Sequence, residues 1–232
     1  MDKNIVVFGG SSGIGLSLVQ QLLDKGYNLS VVSRTAGNLS SLRVQHIAAD
    51  VLTDDLKGLP LPDRIDGLAY CPGSITLKPF RSLKPEQFRS DYEINVIGAV
   101  RALQACQRKM KASDSASVVL FSTVAVGQGM PFHSSIAAAK GAVEGLTRSL
   151  AAEWAPRIRV NCIAPSLTDT PLAAKLLSSE EKKEASANRH PLRKVGESRD
   201  VAALAAFLLS EQANWISGQL IGIDGGMSTL RV

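Results

Sequence analysis

The fold of this chain is decided by the stretch Ile5-Val6-Val7-Phe8-Gly9-Gly10-Ser11-Ser12-Gly13-Ile14-Gly15. Four apolar residues predict a strand, and the glycine-rich turn after them opens an amphipathic segment, Ile14 to Lys25, with helical spacing. Gly26 follows at the place where a glycine commonly ends a helix. Glycines let a backbone come close to a phosphate, and the first turn of a helix offers it unpaired N–H groups. The turn therefore predicts a dinucleotide site, and it is not a P-loop, because no Gly-Lys-Ser/Thr ends it.

The same order of strand and helix continues along the chain. Strands are predicted at Ile5 to Phe8, Leu29 to Ser33, Val44 to Ala48, Gly67 to Cys71, Ser117 to Ser122, Arg159 to Ala164 and Gln219 to Asp224. Helices are predicted at Ile14 to Lys25, Pro85 to Lys111, Ser134 to Trp154 and Arg199 to Ser210. Such alternation gives right-handed βαβ units and a parallel sheet. We expect a single-domain α/β protein over residues 1–232, with a Rossmann-like, doubly wound parallel sheet of about seven strands and helices on both faces.

Composition and charge argue against several classes of protein. Of the 232 residues, 45% are hydrophobic and 20% charged, which is typical of a globular chain and not of a disordered one. The longest apolar run, Val201 to Leu209, is far shorter than the ~20 residues of a membrane span. The net charge of +5 is dispersed, which argues against nucleic acid and fits a phosphorylated ligand. Three cysteines without metal-ligand spacing predict no metal site and fit the cytoplasm.

The residues after the second and third strands indicate which dinucleotide is bound. An acidic residue after the second strand would bond the ribose 2′-hydroxyl of NAD, whereas Arg34, which follows Ser33 here, can pair with a 2′-phosphate. The sequence therefore predicts NADP(H) in preference to NAD(H). Asp50, before Val51, could accept a hydrogen bond from the adenine amino group, and the alternative is a turn-forming aspartate.

These motifs resemble the short-chain dehydrogenase/reductase family over almost the full chain. The matching pieces are residues 9–15, 50–51, 95–98, 138–143, 159–165, 191–196 and 218–226. The resemblance implies an oxidoreductase with a nicotinamide cofactor, a small-molecule substrate and assembly into homodimers or homotetramers. It implies cofactor contacts for Gly9, Ser11, Ser12, Gly13, Ile14, Gly15, Ser33, Arg34, Asp50, Val51, Gly73, Asn95, Lys140, Pro165, Ser166, Thr168 and Thr170.

The main departure from the family concerns its catalytic tyrosine. The family places this residue four positions before its lysine, which lowers the phenol pKa so that the phenol exchanges a proton with the substrate. Ile136 holds that position here, four residues before Lys140, and has no exchangeable proton. Thr123 holds the place of the family's serine, with Ser122 beside it, and Asn95 is retained. The resemblance therefore implies a catalytic set of Asn95, Thr123 and Lys140, with Ser122 as a further candidate.

Other residues could replace the tyrosine. The enoyl-reductase branch of the family has its tyrosine seven residues before the lysine, where His133 stands, and an imidazole can donate a proton near neutrality. The alternative is that His133 is a cap or surface residue. Ser134 and Ser135 are expected to cap the helix, and Tyr70 is a more distant phenol. The motif after the sixth strand also departs, because the family's Pro-Gly is Pro165-Ser166.

Three functions stay open at this point. The first is an NADP(H)-dependent oxidoreductase that acts on a carbonyl, hydroxyl or enoyl group with a non-standard proton donor. The second is an NADP(H)-binding scaffold or sensor, and the third is a partner subunit that pairs through the small residues of the helix after Ile136. The charge-rich segment at about 171–197 is expected to form a lid over the substrate, with a solvated loop as the alternative.

Overall fold

Seven parallel strands form one sheet in the computed structural model, which describes residues 3–231. In chain order the strands are β1 (Asn4–Phe8), β2 (Asn28–Ser33), β3 (Gln45–Ala48), β4 (Gly67–Tyr70), β5 (Ala116–Phe121), β6 (Ile158–Pro165), β7 (Thr168–Asp169), β8 (Gly196–Glu197) and β9 (Leu220–Ile223). The sheet has the order β3-β2-β1-β4-β5-β6-β9, and all its neighbours pair in parallel. The predicted strands are confirmed, and no end shifts by more than one residue.

Helices cover both faces of the sheet. They are α1 (Gly13–Asp24), α2 (Pro85–Tyr92), α3 (Gly98–Lys111), α4 (Ala125–Gln128), α5 (Ser134–Trp154), α6 (Glu180–Ala187) and α7 (Ser198–Leu208). Buried side chains of α1 and α7 pack on one face, and those of α3 and α5 pack on the other. The strand order reverses between β1 and β4, so a crevice opens beyond their carboxyl ends, where such sheets bind ligands.

The predicted helix from Pro85 to Lys111 is interrupted by a π-helical turn over Glu93–Ile97. The Gly98 N–H donates to the Glu93 carbonyl, and the Ile94 carbonyl accepts instead from the Tyr70 hydroxyl at 2.7 Å. A Cβ on Gly98 would lie 2.2 Å from that hydroxyl oxygen, so only glycine fits there. The structure differs from the prediction because the Tyr70 hydroxyl of β4 takes the place of the Gly98 N–H as the donor to the Ile94 carbonyl.

The start of α5 also differs from the prediction in one respect. The helix spans Ser134–Trp154 as predicted, but neither serine caps it, and His133 is the residue before its first turn. Ser135 is buried and donates to the Asp91 carboxylate at 2.6 Å. A buried carboxylate needs hydrogen-bond donors. The Ser135 hydroxyl therefore bonds to Asp91 and, contrary to the sequence prediction, does not cap the helix.

Strands β7 and β8 form a second, two-stranded sheet, and the chain between them contains α6. The two short strands pair in parallel, Thr168 with Gly196 and Asp169 with Glu197, so both ends of the intervening segment are held side by side. The lid predicted at about 171–197 occupies this segment and stays a prediction. No helix within residues 3–231 combines the length and apolar character that crossing a membrane requires.

Candidate active site

Two adjoining cavities open at the carboxyl ends of the central strands. The first has a volume of about 490 Å³ and the second about 390 Å³. Five residues line both, so the cavities form one continuous cleft: Ile14, Cys71, Gly73, Thr170 and Leu172.

The first cavity brings together most of the predicted cofactor residues. Those that line it are Gly9, Ser11, Ser12, Gly13, Ile14, Gly15, Ser33, Arg34, Asp50, Val51, Gly73 and Thr170. Sequence reasoning did not single out its other wall residues, among them Pro72, Ile94 and Pro171. Each adjoins a predicted cofactor residue in the chain, but their apolar side chains carry no group that marks a ligand contact.

The glycine turn is packed so closely that side chains on most of its glycines would clash with neighbouring atoms. A Cβ on Gly9 would lie 2.9 Å from Pro72, and one on Gly15 would lie 2.2 Å from the Gly9 carbonyl oxygen. Gly13 has a φ of +54°, a conformation that suits glycine. Ser12 precedes α1 without a side-chain capping bond, so the first N–H groups of the helix stay available to a ligand. The residues present therefore fit the pyrophosphate of a dinucleotide.

The rim of the first cavity carries the residues predicted to select the dinucleotide. Arg34 is exposed there, one residue after β2, whereas the neighbouring Ser33 is buried and donates to the Thr35 carbonyl at 2.9 Å. Asp50 accepts the Leu52 N–H at 2.9 Å, so it forms the turn that was the alternative for this residue. It also lines the cavity, and its contact with adenine stays a prediction.

The second cavity brings together most of the predicted catalytic residues. Ser122, Thr123, His133 and Lys140 line it, as does Ile136, which is 5% exposed. The predicted cofactor residues Pro165, Ser166 and Thr168 lie on its wall as well.

Lys140 is the central cation of this cavity. Its Nζ donates to the Phe121 carbonyl at 2.9 Å. Burial lowers the pKa of Lys140 to about 8, against the opposing fields of Cys162, Cys71 and Asp91. The ammonium therefore persists at neutral pH but loses its proton more readily than an exposed lysine.

Asn95 lines neither cavity and lies in the π-helical turn beside Gly73. It is 1% exposed, and its Nδ2 donates to the Asp91 carbonyl at 2.7 Å and to the Ser74 hydroxyl at 3.0 Å. Its Oδ1 has no hydrogen-bond partner among the described residues. A Cβ on Gly73 would lie 3.1 Å from Oδ1 and 3.6 Å from the Lys140 Nζ, so this glycine keeps the space between the two groups open.

The hydroxyls beside Lys140 have different partners. Thr123 accepts the Ala125 N–H at 3.3 Å, which leaves the hydrogen of its hydroxyl for a ligand. Ser122 instead donates to the Glu144 carboxylate on α5 at 2.7 Å, so its hydrogen is already engaged.

His133 lies half-buried at the wall of the second cavity. Its Nδ1 lies 2.8 Å from the Pro131 carbonyl. A carbonyl only accepts, so Nδ1 carries the hydrogen, and Nε2 is the nitrogen left for a ligand or for solvent.

Two polar groups near the second cavity were missed from the sequence. Asp91 is buried and accepts from the hydroxyls of Ser74, Thr76 and Ser135 at 2.5, 3.0 and 2.6 Å. His190 is also buried, lines the cavity and lies 2.8 Å from the Ser166 hydroxyl. One sequence signal pointed to the contact between Ser166 and His190: Ser166 stands where the family has a glycine.

The described residues contain no cluster of three or more histidine, cysteine or acidic side chains that could hold a metal ion.

Comparison with known proteins agrees with this architecture. A family model described as Enoyl-(Acyl carrier protein) reductase matches residues 9–228. A tropinone reductase homolog of Arabidopsis thaliana is 33% identical, with 97% of this chain and 92% of the relative covered. A probable 2,4-dienoyl-CoA reductase of Bacillus subtilis is 32% identical, with 97% and 96% covered. The solved structure of ElxO with NADP bound superposes with a TM-score of 0.89 at 26% identity, with 99% of this chain and all of that chain covered.

The matched residues include the glycine turn, both cavities and every strand of the main sheet except β1, which ends one residue before the match begins. We conclude that this chain belongs to the short-chain dehydrogenase/reductase family of nucleotide-binding oxidoreductases.

Proposed function

We propose that this chain is an NADP(H)-dependent oxidoreductase that reduces, or forms by oxidation, a small carbonyl or enoyl compound without the family's tyrosine. One observation carries this proposal: the cavity with the dinucleotide cradle opens directly into a second cavity that contains Lys140 and Thr123. When bound, the nicotinamide supplies or accepts the hydride.

The first cavity supports the cofactor part of the proposal. The N-terminus of α1 and the glycine turn bind the pyrophosphate, and Arg34 pairs with the 2′-phosphate. ElxO, a similar structure, has NADP bound. We expect NADPH to bind this chain more tightly than NADH does.

The second cavity supports the substrate part. Thr123 and Lys140 bind the substrate oxygen, and Lys140 also contacts the nicotinamide ribose, as the family resemblance implies. The side chains there that carry exchangeable protons include His133, Ser122 and the Ser166–His190 pair. Ile136 lies among them as an apolar wall residue.

Turnover is the decisive test. NADPH oxidation is measured with ketones, quinones and enoyl-CoA thioesters, since the relatives include a tropinone reductase homolog and a probable dienoyl-CoA reductase. We expect turnover with at least one class. NADPH binding without oxidation of any of them would contradict the proposed reaction.

Arg34 is tested by the substitution Arg34→Asp. Loss of the guanidinium should weaken NADPH binding by about 10-fold or more, because a hydrogen bond to a charged group contributes roughly 1.5–3 kcal/mol. NADH binding should not weaken, since it lacks the 2′-phosphate. Calorimetry measures both affinities, with Arg148→Asp, an exposed change of equal charge on α5, as the control. Equal parental affinities for the two dinucleotides would contradict the assignment.

A second candidate function has one observation in its favour. Ile136, with no exchangeable proton, fills the place of the family's acid and is buried at the cavity wall. This favours an NADP(H)-binding scaffold, sensor or partner subunit with little turnover. Retained NADPH affinity together with absent turnover would distinguish it from the enzyme.

The remaining proposals concern the whole protein. We propose one cytoplasmic domain over residues 1–232, with a lid at about 171–197, that forms homodimers or homotetramers and binds neither nucleic acid nor membranes.

A further inference from the structure

A buried imidazole and a hydroxyl on the wall of the second cavity form a hydrogen-bonded pair. His190 lies in the turn after α6 and is 3% exposed, and Ser166 follows β6. The Ser166 Oγ lies 2.8 Å from Nε2 of His190, and Nδ1 of the same ring lies 2.8 Å from the Ser186 carbonyl. Ser166 is only half-buried, so a ligand in the cavity reaches the hydroxyl before it reaches the imidazole.

The partner of Nδ1 determines how this pair handles protons. The Ser186 carbonyl can only accept, so Nδ1 keeps its hydrogen in both protonation states of His190. In the neutral ring, Nε2 accepts the hydrogen of the Ser166 hydroxyl. In the imidazolium, Nε2 donates to the Ser166 Oγ, and the hydroxyl hydrogen is released toward another acceptor. Without substrate, that acceptor is the weakly basic Sδ of Met227, 3.1 Å away.

The charges around His190 come from several elements. The charged side chains near it are those of Asp224, Arg189, Arg193 and, elsewhere on the cavity wall, Lys140. Burial raises the pKa of Asp224, but hydrogen bonds from Ser228 and the field of His190 outweigh it and leave that pKa below its usual value. Asp224 is therefore ionised at neutral pH and places a negative charge close enough to interact with the ring.

We propose that Ser166 and His190 deliver the proton to the substrate of this enzyme, in place of the family's tyrosine. Ser166 donates the proton to the substrate oxygen that Thr123 and Lys140 bind, and His190 then gives a proton back to Ser166. This proposal rests on the proposed function, because it requires a substrate that is reduced in the second cavity.

The transfer balances in atoms and charge. A substrate carbonyl carbon gains a hydride from the reduced nicotinamide dinucleotide, which is oxidised, and the C=O π bond breaks. The substrate oxygen takes the hydrogen of Ser166 as the Oγ–H bond breaks. The Oγ in turn takes the hydrogen from Nε2 of His190, and the neutral ring regains a proton from water. In the reverse direction the same groups remove the alcohol proton.

Three variants test the pair by activity. Ser166→Ala removes the hydroxyl, and Ser166→Gly introduces the residue that the family has there. His190→Gln keeps a side-chain N–H near Nε2 but cannot titrate. We expect the kcat of reduction, measured at saturating NADPH, to fall about 100-fold or more, as for loss of a general acid. Ser149→Ala, an exposed change on α5, is the control.

Two pH-dependent readouts separate proton delivery from a structural role. The parental kcat of reduction should fall as rising pH removes the imidazolium, and this decline should be absent in His190→Gln. Nitrogen-15 NMR of the histidines should show Nδ1 of His190 protonated at every pH and Nε2 titrating. Ser166→Ala should shift the midpoint of that titration.

Each other outcome overturns the proposal. Parental kcat in Ser166→Ala, a pH decline retained in His190→Gln, or an Nδ1 that loses its hydrogen would refute the pair while the oxidoreductase stands. A parental protein that binds NADPH but oxidises it with no substrate would refute the oxidoreductase, and the proton pair with it.

Discussion

At the scale of single residues, the site has some of the residues that the family resemblance implies and different residues at other positions. Lys140 and Asn95 keep the positions that the family resemblance assigns, and a glycine holds open the space between their polar atoms. Ile136 stands where the family resemblance places the acid, and Ser166 adds a hydroxyl on the same cavity wall. The proton source that we propose, Ser166, therefore lies on the same cavity wall as Ile136.

Ile136→Tyr should restore the lost phenol. We expect this substitution to raise the kcat of carbonyl reduction in the parental protein. In a Ser166→Ala background the kcat should rise by at least about tenfold, because a positioned general acid contributes roughly 100-fold or more. Steady-state kcat measures the effect. Ile136→Phe, which adds the ring without the hydroxyl, is the control, and an equal gain from phenylalanine would show that shape, not proton donation, was restored.

Lys140 should take up protons when NADPH binds. Its pKa of about 8 leaves part of the population neutral at that pH, and the anionic dinucleotide raises this pKa, so binding increases protonation. We expect uptake of about half a proton near pH 8. Calorimetry in buffers of different ionisation enthalpy measures it. The uptake should disappear in Lys140→Met and persist in Lys111→Met, an exposed control; persistence in Lys140→Met would exclude Lys140 as its source.

At the scale of elements, the sequence predicts the strands and helices well. It does not predict where a tertiary contact replaces a local hydrogen bond. Apolar runs and glycine turns were enough to locate all seven strands of the sheet and the bounds of α5. The turn over Glu93–Ile97 was not predictable, since it depends on the Tyr70 hydroxyl from another strand. The capping prediction for Ser135 was wrong because a buried carboxylate competes for that hydroxyl.

The contact between Gly98 and Tyr70 should be visible in stability. Gly98→Ala places a methyl 2.2 Å from the phenol oxygen, so we expect a loss of roughly 1–3 kcal/mol in the free energy of unfolding. Tyr70→Phe leaves the Ile94 carbonyl without this donor and should cost about 1–3 kcal/mol. The double variant should lose less than the sum, because removal of the oxygen makes room for the methyl. Chemical denaturation measures all three, and strictly additive losses would refute the contact.

At the scale of the whole molecule, strand order explains why the candidate site is where it is. The crevice at β1 and β4 was predictable from the first strand, turn and helix, and most predicted cofactor residues line it. His190 was not, because it reaches the site from a turn 24 residues after Ser166 and no local pattern marks that approach.

Dinucleotide binding should stabilise the entire fold. The first cavity is built from segments between Gly9 and Leu172, so NADPH bound there stabilises the native state and not the unfolded chain. At about 100 times its Kd, a ligand adds about 2.7 kcal/mol. We expect thermal unfolding to shift upward more with NADPH than with equimolar NADH, and an unchanged midpoint with both would contradict binding in the cleft.

The pairing of Gly98 with Tyr70 also restricts how this protein can evolve. A lineage that first gained any side chain at position 98 would pass through a steric clash, whereas one that first lost the phenol oxygen would pass only through a weakened turn. Each position therefore constrains the other: a side chain at position 98 is accommodated only where position 70 lacks the phenol oxygen.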